Sequence, residues 1–401
     1  MTHDTNIPQG YKATALGIIP QEWKTIRLKD CFSISAGGDV QKDCFSETRS
    51  LQYKYPIYSN SLFNHGLYGF TSHPRHKANS ITITGRGALG HAEYRETDFD
   101  AIVRLLVLAP KIPLNGQYIT EYINFRKPFF YESTGVPQLT APQIANIQVL
   151  FPPLGEQRKI AEVLGVWDEA IEKQARLIEK LALRKRALMQ RLLSAKLRLP
   201  GFSEPWKKVN YSDILKEVRR ALTWDENEIY DLISVRRRSG GVFHRESLYG
   251  HEIKTKTLRP ALEGDFLISK MQIVHGASGV VPKQLSGMKI SGSYIALIAK
   301  DPKELNINYF NLWSQMPLFY HQTFVSSYGV HIEKMTFDLD AFMSLSMNLP
   351  PIEEQNRIVE VISTATNEIE LAKEKLERLR RQKRGLMQQL LTGKKRVKYG
   401  N

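Results

Sequence analysis

PPLGEQRKIAEVL, residues 152–164, returns as PPIEEQNRIVEVI, residues 350–362, an offset of 198 from Pro152 to Pro350. The same offset carries the match without a gap to Arg198 and Arg396, through KRALMQRLL from Lys185 and KRGLMQQLL from Lys383. Roughly 20 of about 47 paired positions are identical, which identifies a duplication. Within the first copy the spacing alternates four and three residues through Ile160, Leu164, Trp167, Ile171, Gln174, Ile178, Leu181, Lys185, Leu188 and Leu192. The second copy keeps this frame through Ile358, Ile362, Ala365, Ile369, Ala372, Leu376, Leu379, Lys383, Leu386 and Leu390. Such spacing is the seam of a coiled coil. The lysine that interrupts each seam, Lys185 or Lys383, reads as a register-setting or end-exposed residue.

Each helix begins just after a Pro-Pro pair, where proline is tolerated, and carries a glutamate, Glu156 or Glu354, at the positive end of the helix dipole. Pro200 and Gly201 follow the first copy and Gly393 the second. A helix from about Glu156 to Leu193 is on the order of 55 Å long and needs a partner. An intramolecular antiparallel pair is the simplest arrangement; helices capping their own domains, or an intermolecular coiled coil, are the alternatives. The segments before the helices also correspond: Trp23, Lys24 and Asp30 match Trp206, Lys207 and Asp213, and both tryptophans are expected core anchors.

The chain has 401 residues, more than one hydrophobic core usually serves, so two similar domains are expected. Lysine and arginine number 56 against 41 acidic residues, a net charge of +15 that favours nucleic acid as a partner. A basic protein-binding surface or a membrane-surface patch is the blander reading of charge alone. The two cysteines, Cys31 and Cys44, are too few for a disulfide framework or a clustered zinc site, which points to a reducing cytoplasm. MTHDTNIPQGYKATALG at the start contains no apolar run of signal-peptide length, and no later segment has the roughly 20 apolar residues of a membrane span.

Residues 20–150 and 203–348 contain short apolar or alternating runs, SITIT from Ser80, AIVRLLVLA from Ala101, DFLIS from Asp265 and SYIALIA from Ser293, separated by Gly, Pro and Asn. The expected class is α+β, with mixed α/β domains rich in short strands. ITITGRGALG places Gly85, Gly87 and Gly90 in the order of a dinucleotide-binding fingerprint, but HAEYRETDFDA after it lacks helical periodicity, so a βαβ unit is not expected. A glycine turn recurs as GASG at Gly276–Gly279. Basic and polar residues near turns are the DNA-contacting candidates: Tyr58, Ser59, Asn60, Arg75, His76, Lys77, Arg86, His91 and Arg95 in the first domain. In the second they are Arg236, Arg237, Arg238, Lys254, Lys256, Lys270, Gln272, His275 and His331, with the arginine triple beside Gly240 and Gly241 foremost. The sequence holds no HExxH, no nucleophile motif, no P-loop and no methyltransferase NPPF or NPPY, so no catalytic or metal-ligating residues are assigned.

The duplicated PPLxEQ openings, the heptad helices ending KRxLMQxLL and the Trp-centred segments resemble the specificity subunit of type I restriction-modification systems over essentially the whole chain. The resemblance implies a first target-recognition domain at 1–150, a central conserved helix at 151–199, a second target-recognition domain at 200–348 and a C-terminal conserved helix at 349–401. The two globular domains would be joined by two long antiparallel coiled-coil helices with a pseudo-twofold internal repeat. It implies a non-catalytic subunit on double-stranded DNA, each domain reading half of a bipartite asymmetric site and the helices setting the spacer. Two adenine methyltransferase subunits would dock on the helices, and two restriction subunits could join them. S-adenosylmethionine, ATP and magnesium would belong to those partners. The competing reading is a basic coiled-coil scaffold binding nucleic acid or acidic proteins without sequence specificity; a self-sufficient methyltransferase or nuclease would need a constellation that the sequence does not show.

Overall fold

A computed structural model describes residues 7–127 and 137–398. Residues 1–6 of the N-terminal stretch, 128–136 of the first domain and 399–401 of the last segment lie outside the described residues. The duplicated segments form two long helices, Leu154–Leu193 and Ile352–Leu390. The chain divides into two compact units, one of Met1–Ala175 with Glu374–Asn401, the other Arg176–Lys373, so each unit holds half of each helix.

In the first unit, Ile160 and Leu164 near the start of one helix share a core with Met387 and Leu390 near the end of the other. In the second, Leu192 shares a core with Ile358 and Ile362, again end with start. The pairing within each unit is therefore antiparallel and within one chain, as expected. Every seam position is buried or half-buried, while Leu177, Leu183 and Leu371 off the seam are exposed. That division is what a heptad pattern predicts.

The first helix ends at Leu193, as expected. Ala195 adopts a left-handed conformation (φ 58°), and the Leu197 N–H closes onto the Arg191 carbonyl at 3.0 Å. Its counterpart Gly393 (φ 73°) does the same at the other end, with the Lys395 N–H on the Gln389 carbonyl at 3.0 Å. Both are left-handed C-terminal caps, one built on alanine and one on glycine.

The globular parts share more than the sequence suggested. In the first unit a four-stranded antiparallel sheet runs in the order Phe32–Ala36, Leu106–Pro110, Ser80–Ile83, Ala92–Arg95. In the second the order is Leu215–Glu217, Tyr294–Ala299, Phe266–Ser269, Ser278–Val280, with the same connectivity. Each unit adds a second four-stranded sheet and a two-stranded ribbon, the latter pairing the strand after the tryptophan with the strand before Pro-Pro: Lys24–Arg27 with Gln148–Phe151, and Lys207–Asn210 with Ser346–Leu349. The glycines of ITITGRGALG lie between two adjacent antiparallel strands, Ser80–Ile83 and Ala92–Arg95, so the dinucleotide fingerprint has no crossover helix. AIVRLLVLA, read as one strand, is instead broken: Asp100–Ala101 and Leu106–Pro110 are separated by a tight turn at Val103 and Arg104, both left-handed (φ 54° and 58°). Two successive left-handed residues make a turn that reverses the chain, which apolar patterning cannot signal. Among the described residues no helix is long and apolar enough to cross a membrane.

Candidate nucleic-acid interface

The PPxxEQ motif fixes each domain on its helix. Glu156 is fully buried; its carboxylate accepts from Trp23 Nε1 at 2.9 Å and forms a two-pronged pair with Arg396 at 2.6 and 2.9 Å. Glu354 repeats this with Trp206 Nε1 at 2.9 Å and Arg198 at 2.8 and 2.9 Å. Gln157 and Gln355, also buried, accept from the backbone N–H of Asn115 and Asn306 at 2.9 Å and donate to Pro152 and Pro350. Asn115 and Asn306 in turn cap helices Gly116–Arg126 and Ile307–Trp313. The glutamates therefore do more than meet a helix dipole: they are buried counter-charges for an arginine from the segment that follows the other helix. Bidentate pairing to a buried carboxylate suits arginine geometry.

In the first unit, the proposed contact residues divide sharply. Asn60 is engaged within the protein: its Nδ2 donates to the Val103 carbonyl at 2.7 Å, and its Oδ1 accepts from the Gly85 and Arg86 N–H groups at 2.7 and 3.3 Å. It ties three loops together. Arg95 is 5% exposed, bonded to Thr82 Oγ1 at 2.9 Å and stacked under the Tyr58 ring at 3.6 Å, so it supports Tyr58 rather than reaching solvent. Burial pushes its pKa down, against the pull of Tyr58 and Glu93. Ser59 is held by the Gly66 carbonyl, and Arg75 by Asp100 at 2.7 Å. His76 stacks on Phe99, where burial lowers its pKa against the opposing pull of Asp100, and Lys77 pairs with Asp98 at 3.0 Å. His91 and His65 both reach Glu93, at 3.0 and 3.3 Å. Arg86 remains exposed, its guanidinium donating to Gln138 Oε1 at 3.4 Å.

Two groups that patterning missed join this surface. Arg104 is exposed on the left-handed turn that Asn60 braces. A concavity lined by Arg49, Lys54, Tyr55 and Tyr58 lies on the second sheet, and Phe63, on the loop that follows, is 86% exposed. Cations beside accessible aromatic rings suit phosphate and base contacts. Sequence signals for them were weak, since Arg104 sat inside an apparent strand and Phe63 in an unpatterned loop.

In the second unit the structure brings separate candidates together. Arg236, Arg237 and Arg238 lie on the hairpin between Ile229–Val235 and Val242–Tyr249, all exposed, with Arg238 and Ser239 left-handed at its tip (φ 58° and 54°). The tip docks on the GASG turn: the Arg238 N–H donates to the His275 carbonyl at 2.7 Å and the Ser239 N–H to Gly276 at 2.8 Å. Arg237 donates to Gln272 Oε1 at 2.6 Å and to Glu333 at 2.9 Å, while His275 lies 3.1 Å from Glu333 and His331 is exposed two residues away. Arg236 lies over the Phe243 ring at 4.0 Å. Lys256 belongs elsewhere, paired with Glu226 and over Trp224, and Lys254 is exposed on the same loop. Lys270 lines a different depression, with Arg219, Arg220 and Arg259. The grouping of Arg237, Arg238 and Gln272 presents donors on a hairpin and turn, with the His275 Nε2 buried against Glu333 behind them. Such an arrangement can hold phosphates and meet guanine or adenine edges.

Two copies of one αβ domain, each mounted on an antiparallel helix pair and each presenting basic loops, define a class of two-domain nucleic-acid reader. The family model described as "Type I restriction modification DNA specificity domain" matches residues 20–182 and 203–381, and the chain belongs to that family. Its role is that of a DNA sequence-specificity subunit. The chain is 23% identical over 435 aligned residues to a putative type I restriction enzyme specificity subunit of Methanocaldococcus jannaschii, covering 97% of each chain. A putative type I specificity subunit of Mycoplasma pneumoniae is 33% identical over 145 residues, which is 36% of this chain and 39% of that one. Among solved structures, a type I restriction-modification S subunit from M. genitalium superposes with TM-score 0.59 at 13% identity, covering 92% of this chain and 96% of that one. A chain from a study of complex assembly and conformational transition in a type I system gives 0.58 at 16% identity over 94% of this chain and 99% of that one. Both show likeness of fold.

Proposed function

We propose that each globular domain, residues 1–150 and 200–348, reads one half of a bipartite asymmetric site on double-stranded DNA, and that the helices at 151–199 and 349–401 set the spacer between halves. The observation that carries this is a contrast: the buried Glu-Gln openings and the heptad frame of the helices recur in both copies, whereas the exposed basic loops differ, Arg86 and Arg104 in one unit against the Arg236–Arg238 hairpin of the second sheet in the other. A shared frame with unlike reading loops suits two unlike half-sites. The chain is read as a non-catalytic subunit working in the cytoplasm. Two adenine methyltransferase subunits dock on the helices and two restriction subunits can join, bringing S-adenosylmethionine, ATP and magnesium with them.

Methylome sequencing of cells carrying this chain with its methyltransferase tests the reading. A single bipartite motif with unlike halves is expected, and replacing residues 20–150 with those of another family member should change one half only. A chimera that alters both halves, or neither, would overturn it.

A further inference from the structure

Lys383 and Lys185 stand at the same position of the repeat, yet only one of them is neutralised from within. Lys383, whose side chain is 13% exposed, bonds both Asp168 oxygens at 2.6 and 2.7 Å and Glu121 at 2.9 Å. The repeat places Thr366 where Asp168 stands. Lys185 is half-buried and makes no hydrogen bond or close ion pair among the described residues. Glu370, its nearest counter-charge, is already engaged by Lys373 at 2.8 Å.

Lys185 opens into a cleft of about 750 Å³ lined also by Arg186, Arg238, Ser239, Tyr320 and Thr366. Four cations, Lys185, Arg186, Arg238 and Lys373, face one carboxylate there, Glu370. Burial depresses the Lys185 ammonium, and Lys373 adds repulsion. A partly desolvated cation among like charges gains most from an anion supplied from outside. One wall of the cleft is the hairpin tip, held in place where Ser239 and Tyr320 hydroxyls meet at 2.8 Å.

We infer that this cleft seats a backbone phosphate of the DNA read by the second unit, with Lys185 and Arg186 from the long helix and Arg238 from the hairpin as its ligands. The inference rests on the reading of the chain as a sequence-specific DNA binder. It makes the helix part of the DNA-binding surface in the second unit, whereas in the first the equivalent lysine is consumed by Asp168 and Glu121. Phosphate is favoured over an acidic protein segment because Arg238 is shared with the proposed reading hairpin.

The test is the salt dependence of binding to two short duplexes, one carrying the motif assigned by methylome sequencing and one scrambled. Lys185→Gln, and Thr366→Asp, which supplies the carboxylate that Lys383 has, should each flatten the slope of log affinity against log salt by about one on both duplexes. Preference for the motif should be unchanged, and Lys185→Arg should retain the full slope. Unaltered slopes in both variants would overturn the inference. So would unaltered slopes with loss of methyltransferase co-purification, which would give the cleft to an acidic partner segment. A wild-type chain that fails to distinguish the duplexes would instead overturn the specificity reading, since the slopes are measured on either duplex.

Discussion

Lys383 and Lys185 also make opposite predictions for stability. Removing Lys383 leaves the Glu121 carboxylate, 7% exposed, and Asp168 without their cation. Lys383→Met should therefore cost about 2–3 kcal/mol, while Lys185→Met, which places an apolar residue at a seam position with no partner to orphan, should stay within about 1 kcal/mol of wild type. Denaturant midpoints compare the two directly. Burial, with repulsion from Asp168, already holds the Glu121 pKa above its ordinary 4.5 even with Lys383 pulling it down. A carboxyl raised in the folded state contributes its stability in acid and loses it as pH rises through the folded value. Losing Lys383 raises that value further, so the penalty of Lys383→Met should be smaller near pH 4 than near neutrality. Equal penalties at both would show that the pair is not electrostatically coupled. Neither behaviour was legible in the sequence: both lysines read as interruptions of a seam, and the acids that separate them lie 215 and 262 residues from Lys383. The bracing role of Asn60 was hidden for the same reason, since its three partners come from other loops.

At the scale of the element, the helices were legible because a period of three and four residues is a local pattern with a direct physical meaning. Their caps were less so. Ala195 stands left-handed where the repeat has Gly393, a conformation that costs alanine about 1 kcal/mol. Ala195→Gly should thus stabilise the second unit by up to about 1 kcal/mol. Gly393→Ala should destabilise the first by more than that, because its Cβ would also run into Pro20 and Trp23. Thermal denaturation of the two single variants checks the signs; a loss in Ala195→Gly would mean that the Ala195 methyl makes contacts worth more than its backbone strain. The sheets were half legible. Strands such as Phe266–Ser269 announced themselves as apolar runs, but their common order in the two units is fixed by pairings between distant segments, and the turn at Val103–Arg104 interrupts what looked like one strand.

For the molecule as a whole, the proposed function, in which the helices set the spacer, would make spacing and reading separable properties. The heptad seam keeps its phase only if residues are removed in sevens, and antiparallel pairing requires the same cut at facing positions of both helices. Deleting one heptad from each shortens the pair by about 10 Å, close to three base pairs of duplex. The cut should leave the ends intact, since Glu156 with Arg396 and Glu354 with Arg198 lie at the helix termini, where each domain is fastened. Methylome sequencing should then return the original two half-sites with a spacer shortened by about three base pairs, or no methylation at all if the half-sites no longer face one side of the duplex. To separate loss of facing from loss of folding, a second variant with about three heptads inserted, some 32 Å or roughly one turn of DNA, should restore the facing and recover methylation with a spacer longer by about nine base pairs. Altered half-sites with an unaltered spacer would mean that the loops take their geometry from the helices, and that the two properties are not separable.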